Sequence, residues 1–480
     1  MSKFVFPSMR RQALAVGLAL LLGACATAPV YEKPAVTAPA EFKESALWKA
    51  AGNGTFEVSD QWWQLFNDPV LNDLQAQVTI GNENLKASAA QVQVARAALN
   101  NTRAGGSPVL GVSSGISYGV NSAGATPATS NSIAASASWE LDLWGRMATA
   151  VSGAEARLQA SGADLAAARL SVQALLVQNY FALRSAEVQA NLLERSVVAF
   201  QRSLDLTTNR YSAGVVSAAD VVQATTQLRT TQAQLIESKA SRAQLEHAMA
   251  ILLGKTPAAF DLKPTAELPQ LPKAPIQLPA QLLQRRPDIA ASERRVAAAN
   301  AQIGVAQNAF FPAITLSGSA GFRGSDLLEL ISAPNLFWSF GPALALSLFD
   351  GGARQSGVDS AKASVEQAAA NYRQTVLAAF QEVEGNLVAA ASLEEQIVLQ
   401  ADALKAAQRN LEIADNQYKA GIVSYLNVVT AQATALSSER SLLDLRNRRL
   451  NATAQLLKNL GGRWDGQDVG QRDNPLGQLR

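Results

Sequence analysis

The chain has 480 residues, of which 17% are charged and 48% hydrophobic, and its formal net charge is +2. That charge fraction is low for a soluble domain, and the near balance of signs excludes the basic surface a nucleic-acid binder needs. One cysteine and one histidine exclude an internal disulfide and leave no His/Cys cluster for a metal centre.

The first residues are basic (Lys3, Arg10, Arg11); an apolar run from Ala13 to Leu22 follows, then Gly23-Ala24-Cys25. A basic start, a short apolar core and small residues before a cleavage point make a bacterial export signal. The run is too short to be a spanning helix. Leu22-Gly23-Ala24-Cys25 resembles a lipobox. That resemblance implies loss of residues 1–24 and a mature N-terminus at Cys25 carrying N-acyl and S-diacylglycerol groups. Ala26, where an Asp would signal retention, implies sorting to the outer membrane. Removing the three basic residues takes the formal charge from +2 to −1. No later stretch approaches the ~18 consecutive apolar residues of a transmembrane helix, so any crossing of a membrane is made by strands.

An acylated linker with Pro29, Pro34 and Pro39 covers residues 25–60. Repeat one, 61–255, opens on Trp62-Trp63-Gln64-Leu65-Phe66, read as a packing anchor in preference to a ligand platform. A helix is expected from Val70 to Arg103, with Gly81 tolerated inside it. The period then changes from helix to strand. Leu110, Val112, Ile116 and Tyr118 alternate with Gly111, Ser113, Gly115 and Ser117, the pattern of a strand with one apolar and one small face. A polar loop from Asn121 to Ser132 reverses the chain. The second strand sets Ile133, Ala135, Ala137, Trp139, Leu141 and Leu143 against Ser136, Ser138, Glu140 and Asp142. Repeat two, 287–463, carries the same alternation in Ile314–Phe322 and in Trp338–Leu348. The hairpins are placed at 108–144 and 312–349, with strands of about ten residues, the length of a tilted membrane strand. Glu140 and Asp142 are assigned to a watery lumen.

Four strands cannot close a barrel alone. An open edge in lipid leaves backbone groups unsatisfied, and single-chain membrane barrels begin at about eight strands. Subunits therefore share one barrel, of eight strands in a dimer or twelve in a trimer.

Long helical segments fill the remainder. Arg146 to Tyr211 would span about 100 Å if continuous, and Gly351 to Tyr418 is its counterpart. Leu436, Leu443, Leu450 and Leu457 recur every seven residues, which indicates coiled-coil packing. Asn209-Arg210-Tyr211-Ser212-Ala213-Gly214-Val215-Val216-Ser217 recurs as Asn416-Gln417-Tyr418-Lys419-Ala420-Gly421-Ile422-Val423-Ser424, with Gly214 and Gly421 207 residues apart. A glycine just past a helical run ends it in the left-handed conformation, so each copy is read as the tip of a helical hairpin, and the chain as a duplication. A linker at 256–286 joins the copies, and a polar tail occupies 464–480.

Two Gly-x-Ser-x-Gly words, at Gly111 and Gly115, lie inside an alternating strand, not at a strand-to-helix elbow with a His partner. Gly254-Lys255-Thr256 lacks the first glycine of a phosphate loop, since Met249 stands there. The basic group Arg446, Arg448 and Arg449 reads as a solvated helix face. No catalytic constellation remains, so the chain is not read as an enzyme and no cofactor is expected.

Glu140-Leu141-Asp142-Leu143-Trp144-Gly145, Arg285-Arg286-Pro287-Asp288-Ile289, Phe310-Phe311-Pro312 and Leu348-Phe349-Asp350-Gly351-Gly352, in that order, resemble the TolC-like outer membrane factor family, and within it the NodT-type lipoproteins of tripartite multidrug pumps. The resemblance runs from Trp62-Trp63 to Trp464. It implies a mixed α and β membrane protein, a homotrimer with a 12-stranded β-barrel in the outer-membrane lipid and a periplasmic α-helical barrel. It also implies a periplasmic adaptor gripping the tips (Tyr211, Gly214, Tyr418, Gly421) and an inner-membrane transporter of the RND type. The cargo implied is drugs or other small amphipathic compounds. In relatives a Tyr before the second tip pairs with an Asp after the first, here Tyr418 and Asp220. Acidic residues that form a cation-binding constriction in some members are Asn427 and Thr430 here, and a basic latch residue is Val423. The alternatives are the exit channel of a type I protein secretion system and a non-conducting coiled-coil scaffold, against which the membrane-length strands argue.

Overall fold

The computed structural model describes residues 29–36, 42–44, 61–120, 126–272 and 286–460. Cys25, the 121–125 part of the first hairpin loop, residues 273–285 of the inter-repeat linker and Trp464 lie outside the described residues. The elements run α1 (Pro69–Gly81), α2 (Glu83–Ala104), β1 (Val109–Gly119), β2 (Ala128–Glu140), α3 (Arg146–Ser212), α4 (Ala218–Leu252), α5 (Pro287–Asn308), β3 (Ala313–Gly324), β4 (Leu336–Ala345), α6 (Ala353–Lys419) and α7 (Tyr425–Leu460). Among the described residues no helix is long and apolar enough to cross a membrane.

Two compact units emerge, each drawn from both sequence repeats. The first holds Gln91–Ser161 and Ala291–Arg373, and with them the sheet. Its strands are antiparallel in the order β1-β2-β3-β4, so the two hairpins join through β2 and β3. The register aligns the apolar faces. Val112 faces Ala135, Ala135 faces Ala320, and Ala320 faces Trp338. Because side chains alternate along a strand, Leu110, Ile133, Leu316 and Phe340 fall on this same face, with serines and glycines opposite. Val112, Ile116, Trp338 and Phe340 are more than 70% exposed, and β1 and β4 leave their outer edges unpaired.

Strand ends differ from the expected ones. β2 stops at Glu140 and β4 at Ala345; Leu141 adds one last bond, from its N–H to the Ile314 carbonyl at 2.9 Å, and Leu143, Leu346 and Leu348 lie beyond the ladder. The reason is local chemistry at the corner. Asp142 accepts the backbone N–H of Met147 at 3.0 Å and of Ala148 at 2.8 Å, which satisfies orphan donors at the start of α3. Glu140 is held by Arg146, whose Nη2 lies 2.8 Å from Oε1 and 2.9 Å from Oε2. Asp142 thus caps a helix, and Glu140 is ion-paired. Asp350 does the same work in repeat two, accepting from Gly352 and Arg354.

The second unit, Val36–Ala90, Gly162–Ala290 and the chain from Gln374 onward, holds the larger core. Trp62 and Trp63 are buried, and they join Leu71, Val78, Tyr180, Phe181, Leu450 and Leu457 in one cluster, as a packing anchor requires. Phe66 and Phe181 have centroids 4.9 Å apart. The single helix expected from Val70 to Arg103 is two helices, broken at Gly81 and Asn82. A Cβ on Gly81 would lie 2.2 Å from the Leu253 carbonyl oxygen, so the backbones meet where only glycine fits. Asn82 completes the break, donating to the Leu252 carbonyl at 2.7 Å and accepting from Leu85 N–H at 3.0 Å. The described part of the linker is pinned by a buried ionic group: Arg184 donates to the Lys263 carbonyl at 2.9 Å, and Glu187 accepts the Thr265 N–H at 3.1 Å.

Candidate functional site

Each hairpin tip ends its first helix in the same way. At the first, Val215 N–H bonds the Arg210 carbonyl at 2.9 Å and Gly214 N–H the Tyr211 carbonyl at 2.8 Å. At the second, Ile422 N–H bonds Gln417 at 2.9 Å and Gly421 N–H bonds Tyr418 at 3.0 Å. These paired bonds define a Schellman turn, with glycine at the left-handed position; φ is 72° at Gly214 and 75° at Gly421.

The side chains depart from this symmetry. Ser217 caps α4 in a reciprocal capping box: its Oγ accepts the Asp220 N–H at 3.3 Å while Asp220 Oδ2 accepts the Ser217 N–H at 3.1 Å. Asp220 also accepts the Ser217 hydroxyl at 3.1 Å. Tyr418 is buried, and its hydroxyl donates to Thr207 Oγ1 at 3.4 Å. The expected Tyr418–Asp220 hydrogen bond is therefore not formed within the subunit; each group has another partner. Asp220 is drawn into its own helix cap, the nearest set of donors it meets.

What holds the second tip to the first is a group that sequence reasoning missed. Arg210, in the last turn of α3, donates from Nη1 to the Tyr418 carbonyl at 2.8 Å, and its guanidinium lies 4.6 Å from the Tyr418 ring centroid. Behind it Tyr418 packs edge-on against Tyr425, with centroids 5.3 Å apart. The Tyr425 hydroxyl is 2.9 Å from Ser203 Oγ. Burial pushes the Tyr425 phenol above its ordinary pKa, against the smaller opposing pull of the Ser203 hydrogen bond. Ala224 and Val428 close this cluster, with Val216 and Val423 half-buried at its edge. Val423 thus packs as an apolar residue where the resemblance implies a basic latch in relatives. Asn427 and Thr430 are exposed on α7; Thr430 Oγ1 bonds its own helix at the Leu426 carbonyl, 2.9 Å away. Tyr211, Val215, Ile422 and Leu426 are each more than 45% exposed, an apolar fringe on both tips. A signal for the missed residues was present in the repeat. Arg210 stands where the second copy has Gln417, and Ala218 stands where it has Tyr425.

Comparison with known proteins decides the family. The model of the family described as outer membrane efflux protein matches residues 75–255 and 278–462. The chain belongs to that family. It is 31% identical over 457 residues to the probable efflux pump outer membrane protein TtgC of Pseudomonas putida, covering 93% of this chain and 94% of that protein. It is 30% identical to the cation efflux system protein CusC of Escherichia coli K12, covering 93% and 98%. Among solved structures, the outer-membrane channel OprN superposes with a TM-score of 0.84 at 30% identity, covering 92% of this chain and all of that one. This efflux-family chain is accordingly an outer-membrane transport protein, and the resemblance read from its motifs holds. These relatives are efflux proteins and not enzymes.

Proposed function

We propose that this efflux-family protein is the passive exit duct of a tripartite pump. The observation that carries the reading is the four-stranded sheet with one continuous, exposed apolar face and two unpaired edges, β1 and β4. Such edges cannot remain open in lipid. Three copies joined β4 to β1 close a barrel of twelve strands, with the apolar face to lipid and the serine and glycine face to a lumen. The helical hairpins of the trimer continue that lumen through the periplasm, and Cys25, acylated, anchors the chain in the outer membrane. Drug efflux is favoured over protein secretion because relatives covering more than nine-tenths of the chain carry efflux names, including an antibiotic efflux pump protein of Pseudomonas putida at 31% identity over 93% of the chain.

The tips are the gate and the docking point in this reading. Exposed Tyr211 and Ile422, with Gly214 and Gly421 between helices, face a periplasmic adaptor coupled to an RND-type inner-membrane transporter. Tyr418, Asp220 and Val423 set the closed packing. Asn427 and Thr430 line the narrowest point without the carboxylates that would hold cations.

Purified protein in planar bilayers tests this. The wild-type protein is expected to conduct weakly and Arg210→Ala combined with Tyr418→Phe to conduct more. A protein silent in both forms would overturn the channel reading. Deletion of the gene should sensitise cells to amphipathic drugs and leave protein secretion intact. Mass spectrometry of the mature N-terminus should find lipid on Cys25, absent in Cys25→Ser.

A further inference from the structure

The strongest feature outside the tips is a groove of 840 Å³ between α4 and α7, lined among others by Gln227, Gln234, Ser437, Arg440, Asp444 and Arg448. It lies on the helix faces that the proposed function turns to the lumen. On α7 the positions Asn427, Thr430, Ser437, Ser441, Asp444 and Arg448 follow one another at steps of three, four or seven residues, so they share a face. On α4 Asp220, Gln227 and Gln234 repeat every seven. The groove therefore continues upward from the level of Asn427 and Thr430.

Its charges are unevenly matched. Arg440 makes one hydrogen bond, from Nη1 to Gln234 Oε1 at 3.2 Å, and among the described residues no carboxylate lies within ion-pairing distance of it. Asp444 stands 3.9 Å from Arg448, the outer limit of an ion pair. The remaining polar lining is amide and hydroxyl, which carries no charge. A guanidinium has five N–H donors in a planar fork suited to two oxygens of one anion, so Arg440 has four to offer. Leu436 and Leu445 in the same lining supply apolar surface beside it. The other two arginines of the basic triplet behave differently: Arg449 is paired with Glu394 at 2.9 Å, and exposed Arg446 is not part of the groove.

From this geometry we propose that the groove is a subsite for amphipathic anions, with a carboxylate or sulfate head on Arg440 and the apolar tail along Leu436 and Leu445. The inference rests on the channel reading and names the substrate class that this part of the lumen favours. It inverts the expectation for a duct with an acidic constriction, because this chain has lost carboxylates at 427 and 430 and carries an unmatched cation above them.

Current block in planar bilayers tests it, in the gate-loosened background Arg210→Ala with Tyr418→Phe, added from the side that bears the tips. Octyl sulfate should block at concentrations about tenfold below octyltrimethylammonium, the difference one charge-assisted hydrogen-bonded pair provides. Inorganic sulfate should block far more weakly than octyl sulfate. Arg440→Gln should abolish the difference between the two amphiphiles, Arg440→Lys should keep part of it, and Arg446→Gln should leave it intact. Equal block by both amphiphiles overturns the proposal, as does a preference insensitive to Arg440→Gln or equally lost in Arg446→Gln. Block by inorganic sulfate as strong as by octyl sulfate overturns the amphipathic assignment. Absence of any current is a different failure, that of the channel reading itself.

Discussion

Tyr211 and Tyr418 occupy the same position in two turns with the same backbone bonds, yet Tyr211 is 48% exposed and Tyr418 is 3% exposed. The turn is specified by its own residues: a helix, a glycine able to take positive φ, and two backbone bonds. The fate of the tyrosine is specified by the other hairpin. Tyr418 meets Thr207 and Arg210 of α3 and Tyr425 of its own hairpin, whereas Tyr211 has nothing comparable, since Ala218 stands where Tyr425 would be. Duplication therefore preserved the turn and let the two side-chain environments diverge. One tip became the anchor of the pair, and the other leaves its aromatic ring exposed.

Truncation gives the largest test of this asymmetry. Tyr418→Ala removes a buried ring and should cost about 3–5 kcal/mol locally, the usual range for a large aromatic, while Tyr211→Ala should stay within about 0.5 kcal/mol, as an exposed site does. Hydrogen exchange of the tip amides would report both, and equal loss of protection at the two tips would break the comparison. Arg210→Ala comes next. Losing the ring contact and the hydrogen bond to the Tyr418 carbonyl should cost about 1–3 kcal/mol, read as faster proteolysis at the second tip. Gln417→Ala, its counterpart, should cost next to nothing. Ser217→Ala, which opens the capping box at the first tip, should cost about 1 kcal/mol of α4 stability, seen as fraying of its first turn.

The difference between the tips also marks what was legible in the sequence. Gly214 and Gly421 announced both turns because a helix stop is a local signal. The strand faces were legible too, since alternation of Val112 with Ser113 or of Trp338 with Ser339 needs only period two, and the register then aligned all four apolar faces. Arg210 was legible only as a departure from the repeat, against Gln417; its role was not, because its partner lies 208 residues away. The partners of Glu140 and Asp142 were hidden for a related reason: strand alternation assigns a face, but says nothing of Arg146 or of the cap of α3 that these carboxylates serve. Gly81 was read as a tolerated residue because nothing local reveals that Leu253 and Gly254 press against it.

The smallest effect is the most informative about divergence. By the repeat offset Asn427 stands where the first tip has Asp220, and its backbone N–H bonds the Ser424 carbonyl at 3.1 Å as Asp220 N–H bonds Ser217 at 3.2 Å. The backbone turn thus matches that of the first tip, and a carboxylate at 427 would add a charged acceptor for the Ser424 N–H. Asn427→Asp should stabilise the first turn of α7 by about 0.5–1 kcal/mol through the cap and the helix dipole. The same change places one carboxylate per subunit at the proposed constriction, where three would converge in a trimer. Conductance of the gate-loosened channel should then become sensitive to millimolar divalent cations, while the parent stays insensitive. Gain of the cap without gain of cation sensitivity would keep the equivalence of the two tips but move the constriction away from position 427. Gain of neither would mean that the second tip diverged in backbone as well as in side chain.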